Sequence, residues 1–306
     1  MHINKRFHTS YMKGFTALVT AACFMALLSC APKEMPKEAT PQPRQAKVAV
    51  VLGAGASKGF AHIGVLKVLE TQKVPIHMVV GTSAGSLVGS LYASGIKAFD
   101  LQGIALKLEK SDVLDYRIIP DNGFIKGEKL EDFINKTVKN TPIEKLKIRY
   151  YAVATNVATG EEVAFGTGNT GQAVHASCSV PGVFQPTRIG SNTYVDGGVV
   201  SPVAVDVARR YGADVVIAVD ISGGIEGEVP QGTLATMLKS VDIMYSKISE
   251  HQLKKADVVI RPNVKNIGST ELEKRHEAIL EGEKAAVNAL PAIQQILARL
   301  KQEGRL

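Results

Sequence analysis

Apolar and polar positions divide the chain into three stretches. Phe15 to Leu28 is a nearly unbroken apolar run of 14 residues behind a basic start. That is too short to cross a bilayer comfortably and has the layout of a secretory signal's core. Ala31 to Ala46 has no apolar period, no aromatic residue and four of the 13 prolines, the composition of a semi-extended tether. From Lys47 onward, runs of strand and helix period alternate. Lys47 to Leu52 (KVAVVL) reads as a strand buried on both faces. It passes through the turn Gly53 to Gly59 into helix spacing over Phe60 to Glu70. Ile76 to Ser94 repeats this plan, with a short apolar run, the turn Gly81-Thr82-Ser83-Ala84-Gly85 and a helix. Phe99 to Lys139 is irregularly helical, with a turn at Pro120-Asp121-Asn122-Gly123 and an amphipathic helix over Gly127 to Val138, a region expected to cap a cleft. Strands are predicted at Ile148 to Val157 and Glu162 to Phe165, and a short helix of small residues at Ala173 to Ser179. A hairpin follows over Gln185 to Ile189 and Thr193 to Val195, then Asp196-Gly197-Gly198. A helix over Pro202 to Tyr211, strands over Asp214 to Ile221 and Asp257 to Arg261, and a helical end over Glu271 to Arg299 complete the pattern. This alternation predicts an α/β fold, layered as α/β/α around a mainly parallel sheet.

Charge changes this picture little. The formal charge is +7, but Lys5, Arg6 and Lys13 lie in an acid-free N-terminal segment, and no basic block or basic-aromatic interleaving suggests a nucleic-acid face. Of three cysteines, Cys23 lies inside the apolar run and Cys30 two residues past its end, so Cys178 would stand alone and no internal disulfide is expected. Leu27-Leu28-Ser29-Cys30 resembles the lipobox of bacterial lipoproteins. That resemblance implies a signal over residues 1–29, a lipidated Cys30, a tether over residues 30–46 and a folded domain over residues 47–306. It further implies export to a membrane, the outer one in a Gram-negative host because Ala31 is not the aspartate associated with inner-membrane retention.

The candidate chemistry lies in the two glycine turns. In G-x-S-x-G the serine is held exposed on a strained strand-to-helix turn, which makes Ser83 the candidate nucleophile, with Gly81 and Gly85 permitting the close approach. The Gly53–Gly59 loop fails as a P-loop, because Lys58 precedes the last glycine and no Lys-Ser/Thr pair opens the helix. As a dinucleotide fingerprint it lacks the acid at the end of the next strand. As an oxyanion hole, its backbone N–H groups around Gly55 and Ala56 would face a carbonyl held by Ser83.

GAGASKG, GTSAG and DGG, the last behind SCSVPGVFQP, together resemble the patatin-like phospholipase family over about Lys47 to Leu297. The resemblance implies a serine acyl hydrolase acting on phospholipids, lysophospholipids or related lipid esters, without metal or organic cofactor. In it Ser83 is the nucleophile and Asp196 its proton acceptor, Gly197 and Gly198 complete the third motif, and Gly53, Ala54, Gly55, Ala56, Lys58 and Gly59 form the oxyanion loop. An acyltransferase using the same acyl-enzyme, and an idle scaffold, are the rivals. A triad enzyme would need a histidine from His62, His77, His175, His251 or His276. The chain departs from the family's pattern at Ala54 and Ala56, tolerable unless φ must be positive, and at Lys58, where a planar guanidinium is common.

Overall fold

Val48, Val50 and Leu52 pack into one apolar cluster while Ala49 and Val51 pack into another, so the first strand, β1 (Val48–Leu52), is buried on both faces. That is the signature of the middle layer of three. The computed structural model describes residues 43–116, 123–223 and 229–306. Cys30, the signal and most of the tether lie outside them, as does most of the turn expected at Pro120 to Gly123.

The strands are β2 (Met78–Thr82), β3 (Arg149–Asn156), β4 (Glu162–Phe165), β5 (Thr187–Ile189), β6 (Asn192–Asp196), β7 (Val215–Val219) and β8 (Val258–Ile260). They form one sheet in the order β5-β6-β3-β2-β1-β7-β8, with β4 on β3. β3, β2, β1, β7 and β8 run parallel, and β4, β5 and β6 are antiparallel to their neighbours. The expected mainly parallel α/β architecture is therefore observed, with an antiparallel margin contributed by the hairpin.

The helices are α1 (Phe60–Thr71), α2 (Ala84–Ala93), α3 (Ala98–Lys107), α4 (Lys110–Val113), α5 (Glu128–Thr137), α6 (Thr170–Cys178), α7 (Val205–Arg210), α8 (Thr233–Gln252) and α9 (Arg275–Gln302). Residues of α1, α2, α5, α6 and α9 fill one face of the sheet; α7 and Leu253, just after α8, fill the other. Of α8, only the end was expected, in the charged helical segment Ser249 to Lys255 around His251. The helix expected from Pro202 begins only at Val205, because the Pro202 carbonyl is occupied by the Ala54 N–H at 2.9 Å. β7 ends at Val219, two residues early, and Ile221 turns its side chain to the place a Cβ on Gly55 would need.

At the opposite end of the sheet from the glycine turns, Asp214 accepts from Arg44 at 2.5 Å, from the Lys47 N–H at 2.8 Å and from Arg305 at 3.0 Å. Burial pushes its carboxyl up, but these donors outweigh it and hold the group below the usual carboxylate range.

Candidate active site

Ser83 joins β2 to α2 with φ 55° and ψ −123°. A non-glycine residue held there costs on the order of 1–3 kcal/mol, so surrounding contacts must over-determine it. They do. Its N–H donates to Ser177 Oγ at 2.9 Å, and Ser177 Oγ donates onward to Val153 O at 2.5 Å. Its carbonyl accepts from Ser86 N, Leu87 N and Ser86 Oγ at 2.8, 3.1 and 2.7 Å. The turn also requires glycine at 85, where a Cβ would lie 2.0 Å from Leu52 O. Strand, turn and helix thus fix the backbone at Ser83.

β3 brings the acid to the serine. Thr82 pairs with Val153 and Asp196 with Ala154, so the ends of β2 and β6 fall one register step apart along the same strand. The Asp196 N–H donates to Ser179 O at 2.8 Å, and its carbonyl accepts from Thr155 Oγ1 at 2.9 Å. The carboxyl is fully buried, and its Oδ1 accepts from Gly198 N at 2.7 Å and from the Tyr245 hydroxyl at 3.0 Å. Oδ2 has no hydrogen-bond partner; with His62 Nδ1 it is one of two such buried side-chain atoms among the described residues. Burial raises the Asp196 pKa from 3.8 to about 6, against the Ser83 hydroxyl, the Gly198 N–H and the Tyr245 hydroxyl, which favour the charged form in that order. Ser83 is therefore near enough to act on the carboxylate without a hydrogen bond of ordinary geometry to Oδ2. Contacts of this kind tighten when substrate is bound.

The glycine loop is only partly available as a donor set. Gly53 N donates to Val219 O at 3.0 Å, Ala54 N to Pro202 O at 2.9 Å and Lys58 N to Gly55 O at 3.1 Å, so these three of the expected amides are spent on structure. Gly55 N, Ala56 N and, at the start of α2, Ala84 N have no acceptor among the described residues. The loop and that helix start meet closely: a Cβ on Gly59 would lie 2.6 Å from the Ala84 Cβ. Ala56 does adopt a positive φ, 49°, while Ala54 does not, so one of the two departures from glycine carries backbone strain.

The sequence matches the patatin-like phospholipase family over residues 50–209, more than half of the chain. It belongs to that family. It is 33% identical to the lysophospholipase nte1 of Aspergillus oryzae over 190 residues, 60% of this chain and 12% of that protein. It is 32% identical to an uncharacterized NTE family protein of Mycobacterium tuberculosis over 185 residues, 59% of this chain and 51% of that one. The chain thus spans about an eighth and about half of the length of these relatives. The fold is that of VipD from Legionella pneumophila, with TM-score 0.50 and 14% identity over 82% of this chain and 67% of that one.

Beyond residue 209, past the family match, α8 adds two side chains that the sequence reading missed. Tyr245 reaches Asp196, and Asp242, one turn earlier, holds the Lys58 ammonium at 3.1 Å. Lys58 is buried; its Nζ also donates to Ser222 O at 3.4 Å, so the missing guanidinium fork is replaced by an ion pair and a carbonyl contact. Ser269 Oγ donates to the same Asp242 oxygen at 3.2 Å, and Ser269 O accepts from Ser57 Oγ at 3.0 Å. The patatin loop is therefore tied to segments about 200 residues further along the chain. The spacing Met237, Leu238, Val241, Tyr245, Ile248 was the available sign of α8.

The histidines stand apart from the serine. His62 is buried with Nε2 at 2.8 Å from Gly53 O, and burial lowers its pKa to about 4, so it is neutral and braces the glycine loop. His175 bridges Lys126 O and Glu131, His77 Nδ1 accepts from Val48 N at the far end of the sheet, and His251 and His276 are exposed. Cys178 is free and buried; burial and then Asp196 push its thiol upward, so it offers no thiolate as a rival nucleophile. Among the described residues no group of His, Cys, Asp or Glu converges as a metal site, and no helix is long and apolar enough to cross a membrane.

Proposed function

We propose that this family member is a serine acyl hydrolase of lysophospholipids, phospholipids or related lipid esters, working through a Ser83–Asp196 dyad. The observation that carries the reading is the unpartnered Asp196 Oδ2 beside a serine held in a strained turn. Buried polar atoms left without a partner are rare, and this one is free to accept a proton. Ser83 Oγ attacks the ester carbonyl carbon while its proton passes to Asp196 Oδ2. The oxyanion is met by the N–H groups of Gly55, Ala56 and Ala84, at the positive end of α2. The tetrahedral species collapses, its C–O bond breaks, and Asp196 returns the proton to the departing alcohol. Water then repeats the cycle on the acyl-serine, with Asp196 accepting its proton and Ser83 regaining one.

A carboxyl raised toward neutrality is a better partner for such transfers than an ordinary aspartate. The names of the relatives support a lysophospholipid as first substrate to try. The test is product analysis on lysophosphatidylcholine with wild type, Ser83→Ala, Asp196→Asn and the double variant. Each single variant is expected to lose at least about a thousandfold in kcat, and the double to be scarcely worse, as for residues acting as one unit. Asp196→Asn turning over within tenfold of wild type would remove the dyad. Free fatty acid as product marks a hydrolase, and transfer to an added alcohol marks the transferase.

We also propose that the domain is exported and anchored through lipid on Cys30, on the strength of the apolar run and the Leu27–Cys30 sequence. Several acyl chains hold firmly, so the wild type is expected to resist salt washing of membranes while Cys30→Ser does not reach them. Salt-labile wild type without lipid on Cys30 would overturn this.

A further inference from the structure

Asp196 has two carboxylate oxygens, and a base that takes its proton on the wrong one leaves Ser83 unserved. The two are treated very differently. Oδ1 is saturated by Gly198 N at 2.7 Å and Tyr245 Oη at 3.0 Å, whereas Oδ2 is bare. The Tyr245 ring itself is wedged in place: a Cβ on Gly198 would lie 2.3 Å from its Cζ. Its helix is anchored one turn earlier by the ion pair between partly exposed Asp242 and buried Lys58. Ser249 Oγ donates to the Tyr245 carbonyl at 2.6 Å within the same helix. So the phenol has one place to point its proton, and that place is Oδ1.

We propose that Tyr245 is a positioning residue for the reaction, which by occupying Oδ1 together with the Gly198 amide directs the Ser83 proton to Oδ2. The proposal rests on the dyad reading above. The donor works in two ways. It closes Oδ1 as a competing proton site, and it stabilises the charged carboxylate in a pocket whose burial opposes that charge. The groups facing Asp196 or Tyr245 are few: Ser83 on the turn after β2, Cys178 at the end of α6, and Asp242 on α8, itself paired with Lys58. Cys178 is protonated and Asp242 is already partnered, which leaves the Tyr245 hydroxyl as the side-chain donor set on Oδ1. The proton that Ser83 gives up returns to the alkoxide leaving group, and Tyr245 keeps its own throughout. Burial first, and then the Asp196 charge, hold its phenol well above the ordinary value.

The test is the pH dependence of kcat for Tyr245→Phe, which keeps the ring against Gly198, and for 3-fluorotyrosine placed at position 245, which keeps the ring and strengthens the donor. Melting temperatures check folding, and Asp196→Asn is measured beside them. Removing one hydrogen bond from a charged acceptor is expected to move the acid limb upward by about one pH unit, so the loss is larger at pH 6 than at pH 8. Fluorotyrosine is expected to move the limb downward, opposite to Tyr245→Phe. An unmoved limb in folded Tyr245→Phe, with Asp196→Asn inactive, overturns the positioning role and leaves the dyad standing. Should Tyr245→Phe fail to fold, a fluorotyrosine limb that moves upward or not at all overturns it instead. An active Asp196→Asn removes the dyad and this inference with it.

Discussion

The glycine loop after β1 and the serine turn after β2 begin from neighbouring five-residue strands, both wholly buried, and end in helices on the same face. Each places one non-glycine residue at positive φ, Ala56 at 49° and Ser83 at 55°. Their supports differ. Ser83 is held largely by its own turn, through Ser86, Leu87 and the glycines, with Ser177 the one distant brace. The loop leaves the Gly55 and Ala56 amides open and is held from afar, by Lys58 on Asp242 and Ser57 on Ser269. The proposed nucleophile is held locally, whereas the proposed oxyanion donors, which must stay vacant, cannot satisfy themselves and have to be fixed by their neighbours.

Four changes would break or sharpen that contrast. Gly85→Ala attacks the local support: a Cβ meeting Leu52 O and Gly53 O, both backbone, cannot be accommodated by a side-chain shift. A loss of at least about 4 kcal/mol is expected, visible as failure to accumulate folded protein.

Lys58→Met attacks the distant support and leaves Asp242 without its cation. Asp242 is partly exposed, so the expected cost is about 2 kcal/mol rather than the full penalty of a buried orphan charge. Activity per folded molecule should fall at least tenfold as the amides lose their aim. Wild-type kcat in well-folded Lys58→Met would show that the loop holds itself.

Asp196→Asn separates chemistry from stability. The folded-state pKa of about 6 lies above the ordinary 3.8, so the fold gains by binding a proton. That contribution is complete below about pH 4 and lost as pH rises through 6. At pH 7 the neutral isostere should therefore be the more stable by about 2 kcal/mol while inactive, and the advantage should vanish near pH 4 in melting experiments. Wild-type activity should fall as pH drops through about 6, where Asp196, the proposed base, becomes protonated.

Ala56→Gly is the mildest. Relief of left-handed strain, less glycine's larger entropy in the unfolded chain, leaves a gain of about 0.5 kcal/mol, with kcat unchanged. A fall in melting temperature would mean that the alanine methyl packs usefully.

The part of this site that could be read from the sequence is the part that is local. KVAVVL and MVVGT are short apolar runs ended by glycines, and such runs announce buried strands and their turns whatever the rest of the chain does. The aspartate could be found from DGG, but its burial and bare Oδ2 depend on β3, whose partners come from three directions. The division of the glycine loop into spent and open amides was out of reach, because Pro202 O and Val219 O are acceptors only in the folded sheet. Most of α8 is hidden in the sequence for a different reason. Its start follows Gly232 with no side-chain cap, and Ser, Thr and Lys interrupt an apolar stripe that is nonetheless at helical spacing. With it went Tyr245 and the partner of Lys58.

Asp214 gives the domain a back. Arg44 and Arg305, near the two ends of the folded unit, meet on one carboxylate, and the Ala46 N–H donates to Arg305 O at 2.7 Å. The carboxylate stands one residue before β7, while the open amides follow β1 at the other end of the parallel pair, about 16 Å away along the strands. Both points of attachment to the folded unit therefore lie at the end of the sheet opposite the open amides. The same closeness makes the chain a natural candidate for circular permutation. Arg305 could be joined to Arg44 through a few glycines and new ends cut at the exposed Thr159–Gly160 turn, without moving either half of the active site.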